Sequence, residues 1–203
     1  MPLRPDGTQR GAAAPAGVTL IEVLVTLLIL AIGLLGLAGL QLATVNGQFE
    51  AYQRSQALLL AEEMAGRIRA NASVARDPNS VYTAGLGATL YGTLSDDDCT
   101  DEVDIASEDL CEWNNALIGS STTGPGDPNE GLASIISARG CIDRLAGSGD
   151  GDVQIRITVA WQGLVETSPP ALPCAQGLYG DERLRRAVAT SVVLAELVDP
   201  NAP

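Results

Sequence analysis

The chain has 203 residues, 12 Arg plus Lys against 25 Asp plus Glu, and a formal charge of −13 at neutral pH. An acidic balance of that size argues against nucleic acid, whose phosphates need clustered cations. The complete lack of histidine removes the usual general acid–base side chain, the Ser-His-Asp arrangement and most zinc sites, so an enzyme is not expected and no cofactor is implied.

Residues 1–17 form a short leader in which Arg4 and Arg10 outnumber Asp6, leaving −14 for the remainder. An apolar run of 23 residues follows, Val18 to Leu40, with Glu22 its single charge. At about 1.5 Å per residue such a run is long enough to cross a hydrocarbon core of about 30 Å. The apolar region of a secretory signal is normally only about 7 to 15 residues and ends in an A-x-A-like site, a pattern not found here. Positive residues ahead of the run favour the cytoplasmic side and put the rest of the chain outside the cytoplasm. A carboxylate in hydrocarbon costs about 2.5–3.5 kcal/mol on insertion scales, so Glu22 is a functional residue by default.

The junction Gly17-Val18-Thr19-Leu20-Ile21-Glu22-Val23 resembles the cleavage and methylation signal of type IV pilins and type II secretion pseudopilins. That resemblance implies a prepilin peptidase that cuts after Gly17 on the cytoplasmic face. Val18 would become the first, methylated residue, and Glu22, fifth in the mature chain, would meet the Val18 amine of a neighbouring subunit or its own. The family usually places Phe where this chain has Val18.

Helix-favouring sequence without proline continues to about Asn71, and Ala57, Leu60, Met64 and Ile68 recur at spacings of three and four. One helix of some 50 residues is expected, its first half apolar and its second half offering the Leu60–Met64–Ile68 stripe to a soluble domain. Gly33, Gly36 and Gly39 stand at three-residue spacing within the apolar half, each less favourable than Ala by about 1 kcal/mol in a helix. They suit either close helix packing in a membrane or local loosening on leaving it.

Asp77-Pro78-Asn79 is the expected helix exit, after which Gly, Pro, Ser, Asp and Asn dominate. A short helix is expected around Leu110–Trp113–Leu117, with Trp113 in the core. Three strands are expected: Leu132 to Ile142, Val153 to Trp161, whose Gln154–Val159 stretch alternates polar and apolar, and Leu184 to Leu197. Gly147 to Gly151 supplies a turn before the second. Carboxylates crowd Asp96, Asp97, Asp98, Asp101, Glu102, Asp104, Glu108 and Asp109, with a smaller set at Asp150 and Asp152. Neither stretch matches a calcium-loop pattern, so a solvated acidic surface is expected rather than a metal site.

Cys99, Cys111, Cys141 and Cys174 all follow the apolar run, and four cysteines in an oxidising compartment allow three disulfide connectivities. The segments Gly140-Cys141-Ile142-Asp143, Val159-Ala160-Trp161-Gln162-Gly163, Cys174 and Tyr179 to Arg186 resemble the C-terminal region of PilV-type minor pilins, the type IV pilus modification proteins. The likeness is thin between Asn79 and Asn129. Loop locality, together with the way such folds staple their C-terminal region, favours Cys99 with Cys111 and Cys141 with Cys174.

The resemblance implies an α+β pilin-like fold, a long N-terminal helix on a small antiparallel sheet. Its divisions would be a leader at 1–17, a transmembrane and assembly segment at 18–40, a soluble half-helix at 41–76 and a periplasmic globular domain at 77–203. It further implies a minor pilin of a type IV pilus, anchored by one pass in the inner membrane and later carried on the cell surface, which primes assembly and sits at the pilus tip. Its partners would be other minor pilins, the major pilin, the prepilin peptidase, the inner-membrane assembly platform and a tip adhesin. The alternatives are a type II secretion minor pseudopilin and a bitopic periplasmic binding module.

Overall fold

The computed structural model describes residues 17–82, 90–93, 98–119, 135, 137–145 and 151–195. The chain divides into two compact units, Met1–Val45 and Asn46–Pro203. Helix α1, Leu20–Ala70, runs through the division as 51 continuous helical residues, and it is long and apolar enough to cross a membrane. In the first unit its apolar side chains are exposed throughout.

In the second unit α1 turns one face inward: Gln53, Ala57, Ala61, Met64, Ala65 and Ile68 are buried, the three-and-four spacing of an amphipathic helix. Leu60 is only partly buried, at the edge of that stripe. Arg67 and Arg69 occupy the last turn, where cations complement the helix dipole. The helical path breaks at Asn71, resumes as the short α2, Ala72–Arg76, and stops at Asp77. Asp77 is extended because the residue before a proline is driven out of the helical region. The exit thus lies where the Asp77-Pro78-Asn79 triplet puts it, with one extra break in the helix before it.

Helix α3, Ile105–Ile118, starts at Asp104, whose carboxylate accepts the Ala106 and Ser107 N–H groups at 2.9 and 3.0 Å. It ends at Gly119, whose φ of 80° suits a residue without Cβ. Trp113 on this helix is wholly buried and donates from Nε1 to the Leu60 carbonyl at 2.9 Å, fixing α3 against α1. A disulfide joins Cys111 on α3 to Cys99 in the one-turn 3-10 segment before it.

Three antiparallel strands, β1 Arg139–Leu145, β2 Val153–Gln162 and β3 Arg185–Leu194, form a sheet in that order. Ile142 opposes Ile157, Ile155 opposes Val192 and Val159 opposes Val188, and this face closes one core with Met64, Ile68 and Trp113. One residue away in both strands, Cys141 opposes Thr158 and so faces the other side. There the disulfide to Cys174 anchors a second, smaller core with Ala160, Ala175 and Tyr179.

Several strand limits differ from the sequence expectation, the second strand reaching Gln162 rather than Trp161. Of the expected first strand, 132–134 and 136 lie outside the described residues; among those described, strand pairing starts at Arg139, just after Ser137, whose φ of 52° leaves the extended region. It runs past Ile142 to Leu145 because Asp143 pairs with Arg156 at 2.9 Å and Arg144 reaches the carbonyls of Arg76 and Asp77. The third begins at Arg185, since Asp181 caps a one-turn 3-10 segment over Glu182–Leu184. Residues 196 and 197, the expected turn residues 147–150, and Asp96, Asp97 and Asp150 lie outside the described residues.

Candidate processing and assembly site

Gly17, Val18 and Thr19 precede the first helical residue, and Val18 is exposed. Thr19 is the cap: the Glu22 N–H donates to its hydroxyl Oγ1 at 3.3 Å and to its carbonyl at 3.1 Å. Glu22 therefore stands in the first turn, where a carboxylate complements the positive end of the helix dipole. The Thr19-x-x-Glu22 spacing is that of a capping box, a signal legible in the sequence itself. A peptide bond between Gly17 and Val18 is then an exposed linkage beside a well-started helix, and Val18 and Glu22 lie four residues apart.

A Cβ placed on Gly33, Gly36 or Gly39 would meet nothing within 4 Å. Among the described residues no contact requires small residues there. Whatever favours them acts between molecules or through backbone pliancy.

The second unit holds polar assemblies that sequence reasoning passed over. Arg67 donates to Asp109 at 3.0 Å, Glu112 at 2.5 Å and Glu63 at 2.9 Å. Asp109 also accepts from Asn71 at 2.8 Å and from the Tyr82 hydroxyl, so the end of α1, the Tyr82 turn and α3 share one buried carboxylate. Burial lowers the Arg67 pKa, but its three carboxylate contacts outweigh this and raise it; burial and the bond to Asp109 raise that of Tyr82. Near the other end of this helical stretch, Glu50 accepts from Arg186 at 3.0 Å and from the Leu164 and Val165 N–H groups at 3.2 and 3.4 Å. Arg185, almost fully buried, donates to the carbonyls of Pro170, Leu172 and Cys174 and to Glu182, holding the long loop after β2 onto the sheet. Among the described residues no group of three His, Cys, Asp or Glu is placed to hold a metal ion.

Two family models match the chain. Residues 14–38 match the prokaryotic N-terminal methylation motif, and residues 39–116 match the model described as Type IV pilin Tt1218. The chain carries a type IV pilin signature. The two stretches adjoin and cover the junction, α1, α2 and nearly all of α3. The long apolar helix, the three-stranded antiparallel sheet beneath its second part and the two disulfides agree with the type IV pilin fold. The pilin match reaches through residues 79–116, where the likeness read from the sequence was thin, while the sheet lies beyond both matches. No curated protein and no solved structure matches the chain significantly.

Proposed function

We propose that the chain is a minor pilin of the PilV type, made with a leader at 1–17, cut after Gly17, methylated on Val18 and used to prime a type IV pilus, at whose tip it remains. The observation that carries this reading is the junction itself: an exposed Gly17–Val18 bond, the Thr19 cap and Glu22 in the first turn, inside a stretch matching the N-terminal methylation motif. Cutting there leaves a positive amine at the positive end of a helix dipole, an unfavourable placement that a carboxylate four residues on offsets. In this role Glu22 answers the amine of a neighbour as the apolar segment leaves lipid, the 41–203 portion stays on the periplasmic side, and the subunit works by contact rather than catalysis. Two variants separate charge from size at Glu22. Glu22→Gln keeps the size and polarity of the side chain and removes the charge, whereas Glu22→Ala removes both, and either leaves the backbone Glu22 N–H free to donate to Thr19. Both variants are expected to be cleaved and inserted and to be missing from sheared pili. Mass spectrometry should find wild-type protein beginning at methylated Val18, in far fewer copies than the major subunit. An intact Met1 would overturn the processing claim, and normal entry of Glu22→Gln into pili would overturn the ion pair.

A further inference from the structure

At the end of α1, a groove of about 710 Å³ opens between the residues of α2, the turn at 77–81 and the first turn of α3, with Asn71, Val74, Asp77, Val81, Asp104 and Ile105 on its walls. Three of these side chains are exposed β-branched hydrocarbons: Val74 and Val81 partly, Ile105 at 64%. Val103, next to the wall residue Asp104, is 96% exposed. Scattered surface hydrocarbons need no explanation, but Val74, Val81 and Ile105 line one concavity, and an apolar patch of that kind marks an interaction surface.

The groove lining carries two carboxylates, Asp77 and Asp104, and no Arg or Lys, while the neighbouring Arg76 and Arg144 are held by backbone carbonyls. From Asp98 to Glu112 the chain carries seven carboxylates and no Arg or Lys. Asp109 and Glu112 are matched by Arg67; the Thr100 hydroxyl and N–H lower the pKa of Asp98, and the Ser107 N–H and hydroxyl lower that of Asp104. Asp77, across the groove, is a further acceptor, used by the Asn79 N–H at 2.8 Å. A second copy of this chain is a poor match. Its arginines among the described residues are bound to carboxylates or carbonyls apart from Arg54 and, in Arg69, a loose contact of 3.9 Å with Glu62, and its net charge is equally negative.

We propose that this groove docks a cationic, apolar segment of a different polypeptide, two or three hydrocarbon side chains seated over Val74, Val81 and Ile105 with flanking Lys or Arg against Asp77 and Asp104. Opposite charge at the rim gives speed and selectivity, and the hydrocarbon floor supplies the contact area. The inference does not depend on where the subunit stands in a pilus, so its test and the test of pilus entry can fail separately.

The full chain in detergent micelles, labelled with nitrogen-15, is titrated with three short synthetic peptides: one alternating Arg with Leu, one alternating Arg with Ser, and one alternating Glu with Leu. The Arg–Leu peptide is expected to shift the amide signals of 74–81 and 103–107 saturably. Raising salt from about 0.05 M to about 0.5 M should weaken it at least about tenfold, since the charges lie at the surface. Ile105→Ser with Val81→Ser, both at exposed positions, should weaken it at least about tenfold as well, while Leu178→Ser, exposed elsewhere, should not. Equal binding of the Arg–Ser peptide would overturn the groove as an apolar site and leave only general charge attraction. Equal binding of the Glu–Leu peptide would overturn the role of the carboxylates. Self-association of the chain through the same amides, or signals showing that another segment of the chain covers the groove, would overturn the choice of occupant.

Discussion

Gly140 tests the packing of β1 on α3. A Cβ built there would lie 2.7 Å from both Trp113 Cζ3 and Leu117 Cδ1, and closer still to Trp113 Cη2. Ordinary contact begins near 3.4 Å, so the indole would have to retreat by about 0.7 Å or more. It has little freedom to do so. Trp113 is wholly buried, its Nε1 donates to the Leu60 carbonyl at 2.9 Å, and its ring lies 5.5 Å from that of Tyr91. Overpacking of this kind costs about 1–3 kcal/mol, and weakening the indole hydrogen bond adds about 1, so Gly140→Ala should destabilise the globular unit by about 3 kcal/mol. Urea unfolding of the full chain in detergent, followed by tryptophan emission, measures this directly. Trp113→Phe withdraws the two clashing indole atoms and leaves only Leu117 Cδ1, the end of a flexible side chain, so the double variant should be more stable than the two single losses added together, by at least about 1 kcal/mol. A Gly140→Ala protein within about 0.5 kcal/mol of wild type, or strict additivity with Trp113→Phe, would show that β1 and α3 are not packed as described.

Three further outcomes follow from the same structure. Arg67→Met leaves the Asp109 carboxylate with only its neutral partners, and because Arg67 is partly exposed the loss should fall at about 2–3 kcal/mol, below that of a fully buried pair; adding Asp109→Asn should restore part of it in the same urea assay. Replacing both cysteines by serine should cost about 4 kcal/mol for Cys141–Cys174, with 33 residues of separation, and about 3 for Cys99–Cys111, with 12, and a reversed order in denaturant midpoint would contradict the loop-entropy argument. The Ser107 N–H lowers the pKa of Asp104, and Thr100, Arg183 and the Gly177 N–H lower those of Asp98, Asp181 and Glu182. Folded-state values below the unfolded ones mean that this stabilisation is complete above the ordinary carboxylate range and vanishes as pH falls through the folded values. Melting temperature should therefore hold steady from about pH 7 to 5 and drop below about pH 4, less steeply in Asp104→Asn, and a flat profile to about pH 3 would refute it.

The legible parts of the chain were those written in short range. The long helix, the alternation of Gln154 to Val159 and the Gly17–Glu22 junction each occupy one continuous stretch, so periodicity or a motif reveals them. The polar assemblies do not. Arg67, Asn71, Tyr82 and Asp109 come from separate elements, and each alone reads as an ordinary surface residue until the fold brings them together. Arg185 stands in the basic run Arg183 to Arg186, where nothing local marks it out, yet it is buried under four acceptors. The start of β1 was not legible because Ile135 and Ala138 are apolar and buried without being strand, and buried hydrocarbon just before a strand looks the same in sequence as the strand itself. Thr19 was missed for the opposite reason, a local signal overshadowed by the glutamate three residues on.

The exposed apolar face of the first unit bears on what selects the direction of assembly in the proposed role. Leu24, Leu27, Leu28, Leu34 and Leu35 are open in the isolated chain and require cover. Lipid tails are about as apolar as leucine, so moving these side chains from bilayer to a bundle of like helices gains little beyond closer packing. Gly33, Gly36 and Gly39 permit closer packing without any partner inside the chain. The carboxylate behaves differently: Glu22 costs about 2.5–3.5 kcal/mol in hydrocarbon, and an amine brought beside it removes much of that penalty. In the role we propose, the hydrocarbon would hold the subunit in either environment with similar strength, and the energy that distinguishes the two would be concentrated at Glu22 and Val18.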